Sequence, residues 1–200
     1  KLVRSGLFFR NGWTFKNLNE IRTEFNYFPA RWEDRNSFGN GAYKMHDRFV
    51  GELAFGTDTS QLVSFSALVG MRQEELSDWT LRSSVGLTYK PADQFSLDLD
   101  LNYFERKGWL LHNTDRLMSK YDAGDFQPRL GMDIFFTAKQ QLRLTVQWAA
   151  IKAEVTDFLV IPEQGGTLVS LEDSNGYIPI NSVREDFALS RLTSQIRYRW

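Results

Sequence analysis

The stretch WTLRSSVGLTYKPADQFSLDLDLNY, Trp79 to Tyr103, alternates apolar and polar residues almost without interruption. Trp79, Leu81, Val85, Leu87 and Tyr89 fall on one side, with Ser83 the single gap; Thr80, Arg82, Ser84, Gly86, Thr88 and Lys90 fall on the other. After PADQ the pattern resumes, with Phe95, Leu97, Leu99, Leu101 and Tyr103 against Ser96, Asp98, Asp100 and Asn102. A period of two requires extended strands with one apolar face. That face must meet either a protein core or lipid.

Nine segments carry this signature: Leu2–Phe15, Glu20–Phe28, Tyr43–Phe55, Leu62–Arg72, Trp79–Lys90, Phe95–Tyr103, Arg129–Thr137, Leu142–Lys152 and Phe187–Trp200. Most exceed the usual five or six residues of soluble strands and match the 9–11 that a tilted membrane strand needs. KNLN, GTDTSQ, PADQ and AKQQ read as short turns. Between them fall longer connections: FPARWEDRNSFGNGA, QEELSD, Phe104–Phe126 and Val155–Asp186. In an up-and-down meander this alternation collects every short turn at one end, as outer-membrane barrels do.

Trp79 and Tyr89 stand on the apolar side ten residues apart, or about 33 Å at roughly 3.3 Å per residue. Tilted by about 40°, that projects to about 25 Å, the height of the apolar band between aromatic girdles. The expected lipid-facing girdle is Trp79, Tyr89, Phe95, Tyr103, Trp148, Tyr198 and Trp200. The opposite face is expected to line a wet lumen through Arg82, Lys90, Asp98, Asp100, Asp133, Arg143, Gln147 and Arg197. Parity fixes the shared face: if Lys90 pairs with Ser96, then Thr88 faces Asp98 and Lys90 reaches Asp98 diagonally, and Asp133 and Arg143 make a similar diagonal around AKQQ. Such groups either line a selective channel or form a salt-bridge ladder that stiffens the wall. A soluble antiparallel sandwich or lipocalin-like barrel is the rival, with the same apolar faces turned inward.

The sequence therefore predicts an all-β, antiparallel up-and-down transmembrane barrel, with residues 1–200 as one segment of about nine strands. Single-chain bacterial barrels close with even numbers, so an odd count points to a sector of a larger barrel and a fragment of a longer chain. No run of residues has the length and hydropathy of a spanning helix, and a barrel needs none. Charged residues are 24% of the chain and the net charge is -1, which argues against a nucleic-acid partner. Without cysteine there is neither a disulfide framework nor a thiolate metal site.

Little in the chain suggests catalysis. His46 and His112 are far apart and lack metal-ligand spacing. No nucleophile elbow, phosphate loop or dinucleotide fingerprint occurs. YDAGDF and EDSNG (Glu172–Gly176) are acidic but fall short of a calcium loop. Trp32, Phe38, Trp109, Tyr121, Phe126, Phe158 and Tyr177 are expected in the longer connections, where aromatics either pack loop on loop or stack on sugar rings.

NGWTFKNLNEI, FNYFPARWEDRNSFGNGA, WAAIKAE and above all REDFALSRLTSQIRYRW resemble segments of one family of bacterial outer-membrane proteins. Its members carry a carbohydrate-binding family nine-like domain followed by a barrel of unknown function, similar to that of TonB-dependent receptors. The resemblance covers most of the chain and implies that barrel sequence continues beyond Trp200. It transfers no residue role, and the sugar-binding character belongs to the upstream domain. The expected function is non-catalytic transport, uptake or surface binding across the Gram-negative outer membrane, without cofactor or metal. Lipid is the expected partner, with envelope proteins or glycan at the loops. The alternative is a barrel-anchored scaffold that binds a protein or glycan through its long loops.

Overall fold

The computed structural model describes residues 5–174, 183 and 185–200. Its strands are β1 (Leu7–Thr14), β2 (Glu20–Phe28), β3 (Arg31–Glu33), β4 (Tyr43–Met45), β5 (Arg48–Gly56), β6 (Val63–Gln73), β7 (Trp79–Ala92), β8 (Phe95–Thr114), β9 (Leu117–Thr137), β10 (Gln140–Val160), β11 (Val169–Ser170) and β12 (Phe187–Arg199). The one helix among the described residues is a single 3-10 turn, Leu171–Asp173, and no helix there is long and apolar enough to cross a membrane.

One all-antiparallel sheet dominates, in the order β1-β2-β5-β6-β7-β8-β9-β10-β12, with β11 added at the far end of β10 and β3-β4 forming a separate hairpin. The meander of nine long strands matches the sequence expectation. The sheet does not close: among the described residues the outer edges of β1 and β12 carry no strand partner. Each neighbour in the meander is antiparallel, so β1 and β12 run in the same direction. Turns after β1, β5, β7 and β9 lie at one end; at the other lie the long connections after β2 and β10, together with two turns expected to be long, Glu74–Asp78 and Asp115–Arg116, which are short.

The alternation decides which face is exposed. Trp79 is 40% and Leu81 47% exposed, whereas Thr80 between them is 1% exposed. Val85, Leu87 and Tyr89 continue the exposed row, and Gly86 and Ser64 lie buried on the polar side. This inverts the arrangement of a soluble sheet, and the apolar residues do not meet across a dry interior. Leu97 and Val146 are half-buried and Leu99 and Leu101 exposed on the same outer face.

The boundaries depart from expectation where distant segments intervene. The predicted Tyr43–Phe55 strand divides at His46 and Asp47, because Tyr43–Met45 leaves the sheet to pair with Arg31–Glu33. Phe104–Phe126 is no loop. β8 continues to Thr114, turns at Asp115 and Arg116, and returns as β9, which is 21 residues long like β10. At about 3.3 Å per residue these strands measure roughly 70 Å, well over the length needed to cross a bilayer.

The extension is stabilised by what it covers. Leu110, Met118 and Leu159 pack with Tyr43, Met45, Ile161 and Leu168 in the principal buried apolar cluster. Gly108, at φ 66°, allows the bulge between Arg106 and Trp109; a Cβ there would overlap Asp78, which pairs with Lys120 at 2.8 Å. A folded cap thus tops the long-loop end of the sheet.

Candidate functional site

The polar face carries a ladder of charges set by strand register. Across one rung, Arg10 faces Glu24, Glu24 faces Glu52, Glu52 faces Gly70, and Gly70 faces Arg82. Arg10 grips Glu24 through two contacts, Nε to Oε2 at 2.8 Å and Nη2 to Oε1 at 3.0 Å. Arg82 Nη1 lies 3.3 Å from Glu52 Oε1, over Gly70. The two facing carboxylates, repulsive alone, are each flanked by a guanidinium.

The expected lumen residues share this face. Thr88 pairs with Asp98, on the face they were expected to share, and donates to Asp98 Oδ1 at 2.6 Å. Asp98 takes a second hydroxyl from Ser96 at 3.5 Å, and Lys90 does not reach it. The register shift between Tyr89 and Ala92 carries Lys90 away, and its Nζ meets the Thr59 carbonyl at 3.5 Å. Asp133 and Arg143 are directly opposed and not diagonal, with Nε to Oδ1 at 2.7 Å, because a bulge between Gln140 and Gln141 moves the register. Asp100 meets Arg129 at 3.6 Å, Gln147 pairs with Arg129, and Arg197 faces Arg143.

On the outer face, register groups Tyr103 with Phe126, near Trp148, at the loop end of the span. Phe95, Ile134, Leu142 and Tyr198 form one row at the turn end, with Tyr89 one row further in. Trp79, Tyr89, Tyr103, Trp148, Tyr198 and Trp200 are exposed and Phe95 is half-buried. Of the aromatics expected in connections, Trp109, Tyr121, Phe126 and Phe158 belong to strands instead. Trp32 and Phe38 are exposed on the cap, at 57% and 79%. Tyr177 lies outside the described residues, as does part of EDSNG. YDAGDF is strand: Asp122 and Asp125 project from opposite faces and are held by Lys107 and Arg106 respectively, each at 3.0 Å. Among the described residues no group of three His, Cys, Asp or Glu could hold a metal.

Several site residues escaped the sequence reading. Asp125 is 1% exposed and receives Arg106 at 3.0 Å and Gln127 at 2.9 Å. The Arg106 guanidinium is held between Phe104 and Trp109, 5.0 and 5.1 Å from the ring centres. In the cap, Tyr43 donates to Glu75 Oε2 and Asn36 to Oε1, both at 2.6 Å. Burial raises the Glu75 carboxyl above the usual range despite the Tyr43 hydrogen bond, and burial beside Glu75 pushes the Tyr43 phenol far up. Both histidines are cap residues: His46 Nδ1 meets Ser77 Oγ at 2.9 Å, and His112 packs on Phe38 at 5.3 Å.

Between cap and sheet lies a cleft of about 600 Å³. Asn26, Phe28, Arg48, Val50, Glu52 and Arg72 form its floor, and Phe38, Glu75, Trp109 and His112 its roof. Parity along β2 and β5 would have placed the floor residues on one face, but nothing local says that a cap overhangs them.

No protein-family model, curated protein sequence or solved structure matches this chain.

Proposed function

We propose that this chain is a sector of the wall of a transmembrane β-barrel in the bacterial outer membrane, serving transport or surface binding without catalysis. One observation carries the reading: along β6 and β7 the apolar Val63, Phe65, Val69, Met71, Trp79, Leu81, Val85, Leu87 and Tyr89 are exposed, while Ser64, Gly70, Thr80 and Gly86 on the opposite face are buried. A contiguous apolar face spanning this many strands is costly in water, where exposed patches rarely exceed a few hundred Å². Acyl chains remove that cost, and the continuous hydrogen-bonded ladder satisfies the backbone inside a bilayer. Further strands across the free edges of β1 and β12 would complete the ring. The family resemblance of REDFALSRLTSQIRYRW supports the same reading.

These 200 residues hold no cysteine, so each introduced thiol is unique among them. Single cysteines at Leu87 and Leu99 should resist an aqueous maleimide in reconstituted vesicles, and a fluorophore attached there should be quenched by brominated lipid. Cysteines at Ser84 and Asp98 should show the reverse. Equal aqueous labelling at all four positions defeats the proposal.

Exposed Trp32 and Phe38 on the cap favour a second reading, a scaffold that grips a partner at the loop end. Loss of partner binding in Trp32→Ala, with solute passage unchanged, would select it.

A further inference from the structure

From β1 to β9 the polar face mixes both signs of charge. Arg10 is matched by Glu24, Arg82 by Glu52, Arg106 by Asp125 and Arg129 by Asp100, while Arg22 stands between Glu20 and Glu24 on its own strand. Beyond β9 the mixture ends. From Gln140 to Ala153 β10 carries no carboxylate, and β12 carries Arg191, Arg197 and Arg199 with no carboxylate either. The register sets all three on the polar face: Arg197 opposes Arg143, Arg191 opposes Ala149 and Arg199 opposes Gln141, each an even number of residues from the next.

The three are exposed, and the fold gives them no counter-charge. Arg191 and Arg199 make no hydrogen bond or ion pair among the described residues. Arg197 donates through Nε and Nη2 to the Gln195 side-chain oxygen, at 3.2 and 3.1 Å, a neutral partner. Like charges directly opposed on neighbouring strands repel, and Arg143 and Arg197 are such a pair. Asp133, the carboxylate of their row, is taken on its own side by Arg143 Nε at 2.7 Å and Gln141 Nε2 at 2.8 Å. Between the arginines stand only neutral polar groups, Gln147 facing Thr193 and Thr145 facing Gln195. Arg191 to Arg199 measures roughly 26 Å at about 3.3 Å per residue. Tilted by about 40°, this lane covers about 20 Å, most of the height of an apolar band of about 25 Å.

We propose that the lane on β10 and β12 attracts small anionic solutes and holds their carboxylate or phosphate groups between Arg143 and Arg197. It rests on the barrel reading, since a closed wall makes this face line a water path. Guanidinium forks match both oxyanions. A wall lined by one sign of charge concentrates ions of the other.

The complete chain in vesicles would carry one added cysteine, at Thr193 in the lane or at Ser84, whose partners Leu68 and Asn102 are neutral. Rates of modification by an anionic sulfonate and a cationic trimethylammonium methanethiosulfonate are read above those of the chain without the added thiol. The anionic-to-cationic ratio at Thr193→Cys should exceed that at Ser84→Cys by about tenfold at low salt, the lower end of electrostatic focusing, and should shrink as salt is added. Arg191→Gln combined with Arg197→Gln should bring the two ratios together. Neither residue pairs with a carboxylate, so folding, read from heat-modifiable migration on a gel, should be kept; should it be lost, the phosphate measurement decides. Inorganic phosphate should slow the anionic reagent at Thr193→Cys more than chloride does at the same ionic strength. Equal ratios at the two sites, a cationic preference in the lane (the mark of an acidic segment lying over it), an anionic preference that survives the double variant, or phosphate no more effective than chloride would each overturn the assignment. A Leu87→Cys thiol as reactive as Ser84→Cys would instead bring down the barrel reading, and the lane with it.

Discussion

Arg82 reaches Glu52 at 3.3 Å by passing over Gly70, the residue that stands between them in the same rung of the sheet. A side chain at position 70 would occupy the space the pair needs. A Cβ there would lie 2.9 Å from Glu52 Cγ and 3.2 Å from the Gly51 carbonyl. The glycine is therefore a gap through which two charges two strands apart can meet.

Gly70→Val should cost about 1–3 kcal/mol through crowding of this rung, more than the pair alone is worth, since partly exposed bridges contribute about 0–1 kcal/mol. Urea titration of the folded protein in detergent checks it. An Arg82→Gln variant that lost as much as Gly70→Val would show that the charge pair, and not the space, dominates.

Leu87 and Leu99 are cross-strand partners on the outer face. Replacing either with Arg should block assembly, at about 2–4 kcal/mol at mid-bilayer depth. Asp98→Asn, on the opposite face, keeps an acceptor for Thr88 and should assemble normally. Normal insertion of both arginine variants would reverse the facing proposed for the sheet.

Asp125 is the most deeply buried carboxylate of an ion pair here, with Arg106 pinned between two rings above it. Asp125→Ala should cost about 3 kcal/mol, because the guanidinium stays behind without its counter-charge. The double variant with Arg106→Met should recover part of that loss. A strictly additive double-mutant cycle would contradict the coupling.

Glu75 gives the cap a pH dependence whose sign follows from its raised carboxyl. A folded-state value above the unfolded one favours the protonated form in the folded cap. Its stabilising contribution is therefore complete below the ordinary carboxylate range and is lost as pH rises through the raised value. Amides of the cap, such as His46, which donates to the Glu75 carbonyl at 3.1 Å, should open less readily, after correction for intrinsic exchange, as pH falls from neutral toward about 4.5. Glu75→Gln should flatten that trend. A trend of the same slope in the variant would assign it elsewhere.

Local chemistry alone was enough for the nine-strand meander and for the faces of its clearest strands, but not for the connections, since QEELSD and Phe104–Phe126 were expected to be long and became short turns. The reason is that a period of two is written residue by residue: once Leu87 is outward, Thr88 is inward, whatever else the chain does. The same parity put Thr88 and Asp98 on one face, and the register of the folded hairpin made them partners. Tertiary structure decided what parity cannot carry. Bulges beyond Tyr89 and at Gln140 moved Lys90 off Asp98 and set Arg143 squarely opposite Asp133. The stretch from Phe104 to Phe126 became strand because Leu110 and Met118 found Tyr43 and Ile161, residues tens of positions away. The cleft under the cap arose from the same docking, since its floor belongs to β2, β5 and β6 and its roof to segments that only the folded chain brings above them.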